Sequence, residues 1–229
     1  CITVCAEVNL KVVEIRHSQG WVDEVFSDID KLIKRVKVAK KNKEVVSLAY
    51  HGNIITIWKE FYKSNVFIDI GSDQTSLHNP WSGGYYPEGI DFENANEMIS
   101  NDPSLFKLKV KESLLLHAEF INKHCEKGTY FFDYGNAFLL ETSKAGGDVF
   151  SDDGVNFKFP SYVQDIMGPM CFDYGFGPFR WVCASNKQDD LDITDEIACE
   201  VLEKLMINSP KEIKVQMQDN IDWIKAAKS

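Results

Sequence analysis

Four short polar groups carry residue types able to hold or act on a small molecule: Glu7, Gly52 with Asn53, the run Asp73-Gln74-Thr75-Ser76-Leu77-His78, and Asp133-Tyr134-Gly135-Asn136. Each follows a short apolar run. An acid at the end of a strand holds ribose hydroxyls in dinucleotide-binding folds, and Gly-Asn opening a helix offers backbone N–H groups to an anion. Taken singly, Glu7 reads as a solvated acid and Asn53 as a helix cap; four coincident strand ends favour a site. Asp73, Ser76 and His78 resemble a compressed catalytic triad. Triad members come from separate elements, however, so this run reads as a polar loop whose side chains cap one another. Trp81, Tyr85 and Tyr86 beside Gly83-Gly84 offer a stacking surface for a planar ring. Arg180, in the stiff apolar stretch Gly177-Pro178-Phe179-Arg180-Trp181, suits a bidentate carboxylate contact, and equally a structural ion pair.

The elements that must position these groups alternate. Apolar or β-branched runs at 2–6, 45–49, 66–70 and 129–132 read as strands. Helical spacing appears at 27–40 behind Ser27 and Asp28 as cap candidates, then at 54–62, 91–100, 104–126 and 137–144. Such alternation implies a parallel sheet covered by helices, where ligands bind at the carboxyl ends of the strands. Between them, Gly71 to Pro87 shows no period, and a long irregular stretch in a compact chain usually has a function. After Gly146 the texture changes to Gly- and Pro-bearing loops, a short strand at 180–184, and helices at 189–207 and 211–227. The expected fold class is therefore α/β. A Rossmann-like parallel sheet with flanking helices occupies 1–165, and 166–229 begin a second α/β core domain. No GxGxxG turn is present, since Gly175-Phe176-Gly177 does not precede a helix. If Glu7 ends the second strand, that turn belongs upstream of Cys1, and the chain is expected to be a fragment.

Composition narrows the partners. Among 229 residues, 25 Lys and Arg stand against 35 Asp and Glu, a formal charge of −10, which argues against a nucleic-acid or anionic-membrane partner. No apolar stretch has the roughly 18 residues of a membrane helix and no signal peptide is evident, so the chain reads as soluble and intracellular. The six cysteines form no CxxC pair. That spacing favours buried, reduced thiols over a structural zinc site or a disulfide framework, and no metal is expected.

The motifs Asp73-Gln74-Thr75-Ser76-Leu77-His78-Asn79-Pro80, Gly84-Tyr85-Tyr86-Pro87, Tyr130-Phe131-Phe132-Asp133-Tyr134-Gly135-Asn136 and Gly177-Pro178-Phe179-Arg180-Trp181-Val182 together resemble the urocanase family. The block from Pro160 to Gly175 is similar to its eukaryotic-type branch. The resemblance runs in register through essentially the whole chain. It implies a cytoplasmic, homodimeric lyase of histidine degradation that adds water to urocanate, giving imidazolonepropionate, with tightly bound NAD+ as an electrophile. By position it places NAD+ contacts on Glu7, Asn53, Ile54, Gln74, Thr75, Ser76, Leu77, His78, Tyr85, Tyr86 and Tyr134, and a substrate-carboxylate clamp on Arg180. Val12 stands where bacterial members carry a basic residue, so no contact is carried to it. Ile54 and Leu77 replace smaller residues, which leaves them backbone roles. Cys171 does not match the position of the bacterial active-site cysteine. Two other readings stay open: a dinucleotide-binding module without turnover, which is expected of the isolated chain, and a conventional NAD-dependent dehydrogenase.

Overall fold

The computed structural model describes residues 1–75, 77, 79–135, 137–171 and 183–226. Contacts divide the chain into two compact units, Cys1–Phe176 and Gly177–Ser229. The first unit begins with β1 (Ile2–Glu7), α1 (Leu10–Ser18), β2 (Glu24–Phe26), α2 (Ile29–Asn42), β3 (Val46–His51) and α3 (Ile54–Lys63). These strands form one parallel sheet of order β1-β3-β2. Its two faces follow from the period-2 alternation of β3. Val46, Leu48 and Tyr50 face Leu32, Ile33, Val36 and Ala39 of α2. Ala49 points the other way, onto Val13 of α1 and Val22. With both its faces covered, β3 reads as an apolar run. Asp28, rather than Ser27, caps α2, accepting from the amides of Asp30 (2.9 Å) and Lys31 (3.2 Å).

A second parallel pair joins β4 (Ile70–Asp73) to β5 (Tyr130–Asp133). Between them lie a 3-10 turn at Pro80–Ser82, α4 (Phe92–Asn101) and the long α5 (Pro103–Cys125); α6 (Phe138–Ala145) follows β5. A π-helical turn, Tyr162–Met167, then leads into the single turn α7 (Gly168–Met170). Helix α3 serves both sheets. Ile57 and Phe61 enter the core of the first, whereas Ile55 and Trp58 join Phe106, Val110, Leu114, Ala118 and Ile121 of α5 in the core of the second.

The second unit contributes α8 (Gln188–Met206) and α9 (Lys211–Ala226), which pack on each other and bury Leu202, Met217, Ile221 and Ile224. Most of the strand expected at 180–184 lies outside the described residues; Cys183 and Ala184 are not in a strand.

Three differences from the sequence reading have physical causes. The strand expected at 66–70 begins only at Ile70. Residues before it finish α3, the Val66 amide donating to the Phe61 carbonyl at 2.9 Å. The strand itself, Ile70-Gly71-Ser72-Asp73, has little β-propensity because it must admit Trp58: a Cβ on Gly71 would fall 2.3 Å from that indole. Second, α1 and β2 escaped notice, since α1 buries only Val13 and leaves Leu10, Val12 and Ile15 exposed. Third, the cysteines are free thiols but not buried: Cys1 and Cys5 are exposed and the other four half-buried. No helix among the described residues is long and apolar enough to cross a membrane.

Candidate functional site

Parallel pairing brings strand carboxyl ends to one side of each sheet. In the first sheet, Glu7 and His51 are the last register partners. The amide of Gly52 donates to the Glu7 carbonyl at 3.0 Å, folding the chain after β3 over the end of β1. A side chain at position 52 would collide with Tyr50, its Cβ 2.4 Å from the ring. The Glu7 carboxylate accepts from the amide of Asn9 at 2.8 Å. Asn53 has two tasks: its Oδ1 caps α3 by accepting from the Ile55 amide at 2.9 Å, and its Nδ2 donates to the Tyr86 carbonyl at 2.8 Å. The first turn of α3 still presents the Ile54 amide at the positive end of the helix dipole, while the Ile54 side chain packs against both cores.

At the end of the second sheet, Asp73 and Asp133 are register partners and both are buried. Asp73 accepts from the amide (3.1 Å) and the hydroxyl of Thr75. Asp133 accepts from the amides of Gly135 (2.7 Å) and Leu139 (3.1 Å), the latter in the first turn of α6. Gln74 is exposed and Thr75 half-buried, whereas Leu77 is fully enclosed.

The segment from Tyr85 to Glu88 ties the two ends together. Tyr85 is buried and its hydroxyl is hydrogen-bonded to Nδ1 of His117, on α5, at 3.1 Å. Burial, and then the negative charges of Asp73 and Glu88, push the Tyr85 phenol well above its usual range. Burial also pushes His117 down to about 4, against the pull of Asp73. Tyr86 offers its carbonyl to Asn53 and donates its hydroxyl to Asn96 of α4 at 2.9 Å. Burial raises the Tyr86 phenol; the bond to Asn96 opposes this, and the charge of Glu7 adds to it. The Glu88 amide donates to Ser113 Oγ at 2.9 Å, and its carboxylate meets Lys59 at 2.6 Å. Three of these four consecutive loop residues, Tyr85, Tyr86 and Glu88, are thus fastened to α3, α4 and α5.

Of the residues anticipated from the sequence, Glu7, Asn53, Ile54 and Tyr86 gather at the end of the first sheet. Gln74, Thr75, Leu77 and Tyr85 lie at or behind the end of β4, the last two with side chains in the core. Tyr134 stands exposed beyond β5, stacked on Tyr162 with centroids 5.3 Å apart. Ser76, His78 and Arg180 lie outside the described residues. Sequence reasoning missed His117, whose place beside Leu114, Ala118 and Ile121 makes it look like part of an apolar stripe; a lone histidine in that stripe was the available clue. It also missed Tyr162, which no local pattern marks. Among the described residues, no group of three or more His, Cys, Asp or Glu is placed to hold a metal ion.

An acid-tipped strand beside the open start of the next strand's helix fits a dinucleotide: the carboxylate suits ribose hydroxyls and the helix amides suit phosphate. The family model for the urocanase Rossmann-like domain matches residues 1–166, and that for the urocanase C-terminal domain matches residues 169–229. The chain belongs to the urocanase family. Urocanate hydratase of Mus musculus is 47% identical over 236 residues, covering 99% of this chain and 35% of that protein. The Homo sapiens protein of the same name is 46% identical over 235 residues, with the same coverage. A probable urocanate hydratase of Dictyostelium discoideum is 47% identical over 231 residues, covering 99% of this chain and 34% of that protein. This urocanase chain spans about a third of the length of the curated relatives it matches. Its Rossmann-like segment, a nucleotide-binding type of fold, contains both parallel sheets and all the strand ends described above. The match to the first model ends inside the π-helical turn Tyr162–Met167, and that to the second begins just after it, at residue 169.

Proposed function

We propose that the protein carrying these residues is a urocanate hydratase, a hydro-lyase of histidine degradation that adds water to urocanate to give 4-imidazolone-5-propanoate with the help of bound NAD+. The single observation that carries the reading is the meeting of Glu7, the start of α3 and Tyr86 at the carboxyl end of the first sheet. In it, Asn53 both caps the helix and holds the Tyr86 carbonyl. The names of the similar proteins supply the reaction. When bound, NAD+ supplies an electron-poor ring that activates the imidazole of the substrate toward water.

The chain's own groups bind and orient. The carboxylate of Glu7 accepts from ribose hydroxyls, the amides of Asn53 and Ile54 face phosphate, and the stretch from Gln74 to His78 with Tyr85, Tyr86 and Tyr134 completes the cofactor's surroundings. Arg180 clamps the substrate carboxylate through its planar fork. Residues 1–165 act as the dinucleotide-binding domain and 166–229 begin the second core segment. The working enzyme is a cytoplasmic homodimer.

Urocanate absorbs strongly in the near ultraviolet, so its consumption by the full-length protein is read directly, and NAD+ is measured in the same preparation after denaturation. Loss of the absorbance without accumulation of NADH is expected; accumulation of NADH with a reduced substrate would instead identify a dehydrogenase. The 229 residues alone are expected to bind nucleotide without turnover, and measurable hydration by them would overturn that part of the reading.

A further inference from the structure

The segment after α6 returns to β5 and lies along its carboxyl end. The Asp133 amide donates to the Pro160 carbonyl at 2.9 Å, and Asp133 forms a parallel bridge with Ser161. The backbone on either side of Tyr162 is fixed: the Ser161 amide donates to Asp165 at 2.7 Å, and Ser161 Oγ accepts from the Gln164 amide at 3.3 Å. Gly135, with φ +92°, lies so close that a Cβ would stand 2.8 Å from Val163 Cγ2. These contacts deliver the ring of Tyr162 to two aromatic side chains of one face of β5 and its extension. It packs on Phe132 at 5.6 Å and stacks on Tyr134 at 5.3 Å with only 13° between the planes. One face of the Tyr134 ring is thereby occupied, and the residue remains 43% exposed at the ligand-facing end of the strand.

We propose that Tyr162 is a positioning residue: it holds Tyr134 as a preoriented platform for a planar, electron-poor heteroaromatic ring. This inference rests on the dinucleotide reading above and deepens it. A phenol presents a negative face, so the ring it favours is cationic or electron-poor. Two sources share that chemistry, the pyridinium of the cofactor and, when protonated, the imidazole of the substrate. Without Tyr162, Tyr134 would have to lose rotamer freedom at the moment of binding; the existing stack removes that cost beforehand.

The test uses the full-length protein freed of nucleotide, with NAD+ and ADP-ribose as probes, since ADP-ribose is the same nucleotide without the pyridinium ring. Tyr162→Leu should weaken NAD+ about three- to tenfold, the range expected for one aromatic contact, while leaving ADP-ribose within about twofold. Tyr162→Phe keeps the stack and should bind both like the wild type. If NAD+ is unchanged but the urocanate KM rises by a similar factor, the platform stands and its ring is the substrate's. Equal weakening of NAD+ and ADP-ribose would make Tyr162 merely structural and overturn the proposal, as would a Tyr162→Leu protein unchanged toward all three. Should Tyr162→Leu not fold, Tyr162→Met fills the same space with an unbranched chain and gives the same comparison. Wild-type protein that binds neither nucleotide would overturn the dinucleotide reading, and this inference with it.

Discussion

Asp73 and Asp133 face each other across the last register of the β4–β5 ladder, both carboxylates buried and each hydrogen-bonded to amides just ahead of it on its own chain. Two acids side by side in a core are tolerable because backbone N–H groups take the place of water around each. The arrangement turns both chains sharply at the strand ends where a ligand would lie.

Replacing Asp133 with Asn tests that role. One amide oxygen can still serve Gly135 or Leu139, but the new NH2 group opposes the other donor. A loss of about 1–3 kcal/mol is expected in urea unfolding. The amide of Leu139 should exchange faster than the rest of α6, and an unchanged exchange rate there would argue that the cap is dispensable.

Asn53 separates capping from positioning. Asn53→Ala removes the cap on Ile55 and strands the Tyr86 carbonyl, for about 1–3 kcal/mol in total. Asn53→Asp retains the capping oxygen but loses the donor to Tyr86, so it should cost less in stability and still weaken NAD+ binding in the full-length protein. Equal effects of the two variants on both measurements would merge the roles.

The acid limb of the stability curve should bear the mark of His117. Burial lowers it from its ordinary 6.5 to about 4, with Tyr85 at its Nδ1 and Asp73 nearby. In that window the unfolded chain binds the proton and the folded chain does not. Stability is therefore fully present above pH 6.5 and falls as pH drops toward 4, by on the order of 3 kcal/mol. Buried His124 is shifted the same way by burial. His117→Gln should flatten part of the slope between pH 4 and 6.5 when urea midpoints are compared across that range; an identical slope would assign it elsewhere.

Gly71→Ala probes the contact between α3 and β4. The added methyl would lie 2.3 Å from Trp58 Cη2 and 2.7 Å from Cζ2. Trp58 is itself hemmed in by Phe131 at 6.0 Å and His124 at 5.2 Å between centroids. Overpacking of this kind costs about 1–3 kcal/mol, visible as a lower thermal midpoint; a wild-type midpoint would show that the indole can turn away.

For the substrate clamp proposed at Arg180, Arg180→Lys in the full-length protein should raise the urocanate KM by roughly tenfold or more while NAD+ content stays constant, because lysine keeps the charge and loses the bidentate fork. Normal KM would remove Arg180 from the site.

Legibility in the sequence followed how local each feature is. Helices α3 and α5 were readable because their apolar faces are dense, and β3 because both its faces are buried. Helix α1 was hidden by its single buried valine, and β4 by Ser72 and by Gly71, whose lack of a side chain is dictated by the indole above it rather than by the strand. At the site, Glu7 and Asn53 could be picked out as polar ends of apolar runs. The union of Asn53 with Tyr86, of Tyr85 with His117, and of Tyr134 with Tyr162 depends on chain segments meeting in space, and no spacing along the chain encodes such meetings.

Helix α3 places Ile57 and Phe61 against one sheet and Ile55 and Trp58 against the other. Among the described residues the two sheets share no ladder, yet neither can open without stripping a face from the same helix. Amide protection in β1, β3, β4 and β5 should thus rise and fall together, as one exchange-competent opening rather than two. A dinucleotide seated at the start of α3 would stabilise both sheets by its binding free energy, so nucleotide loss would be felt as far away as β5.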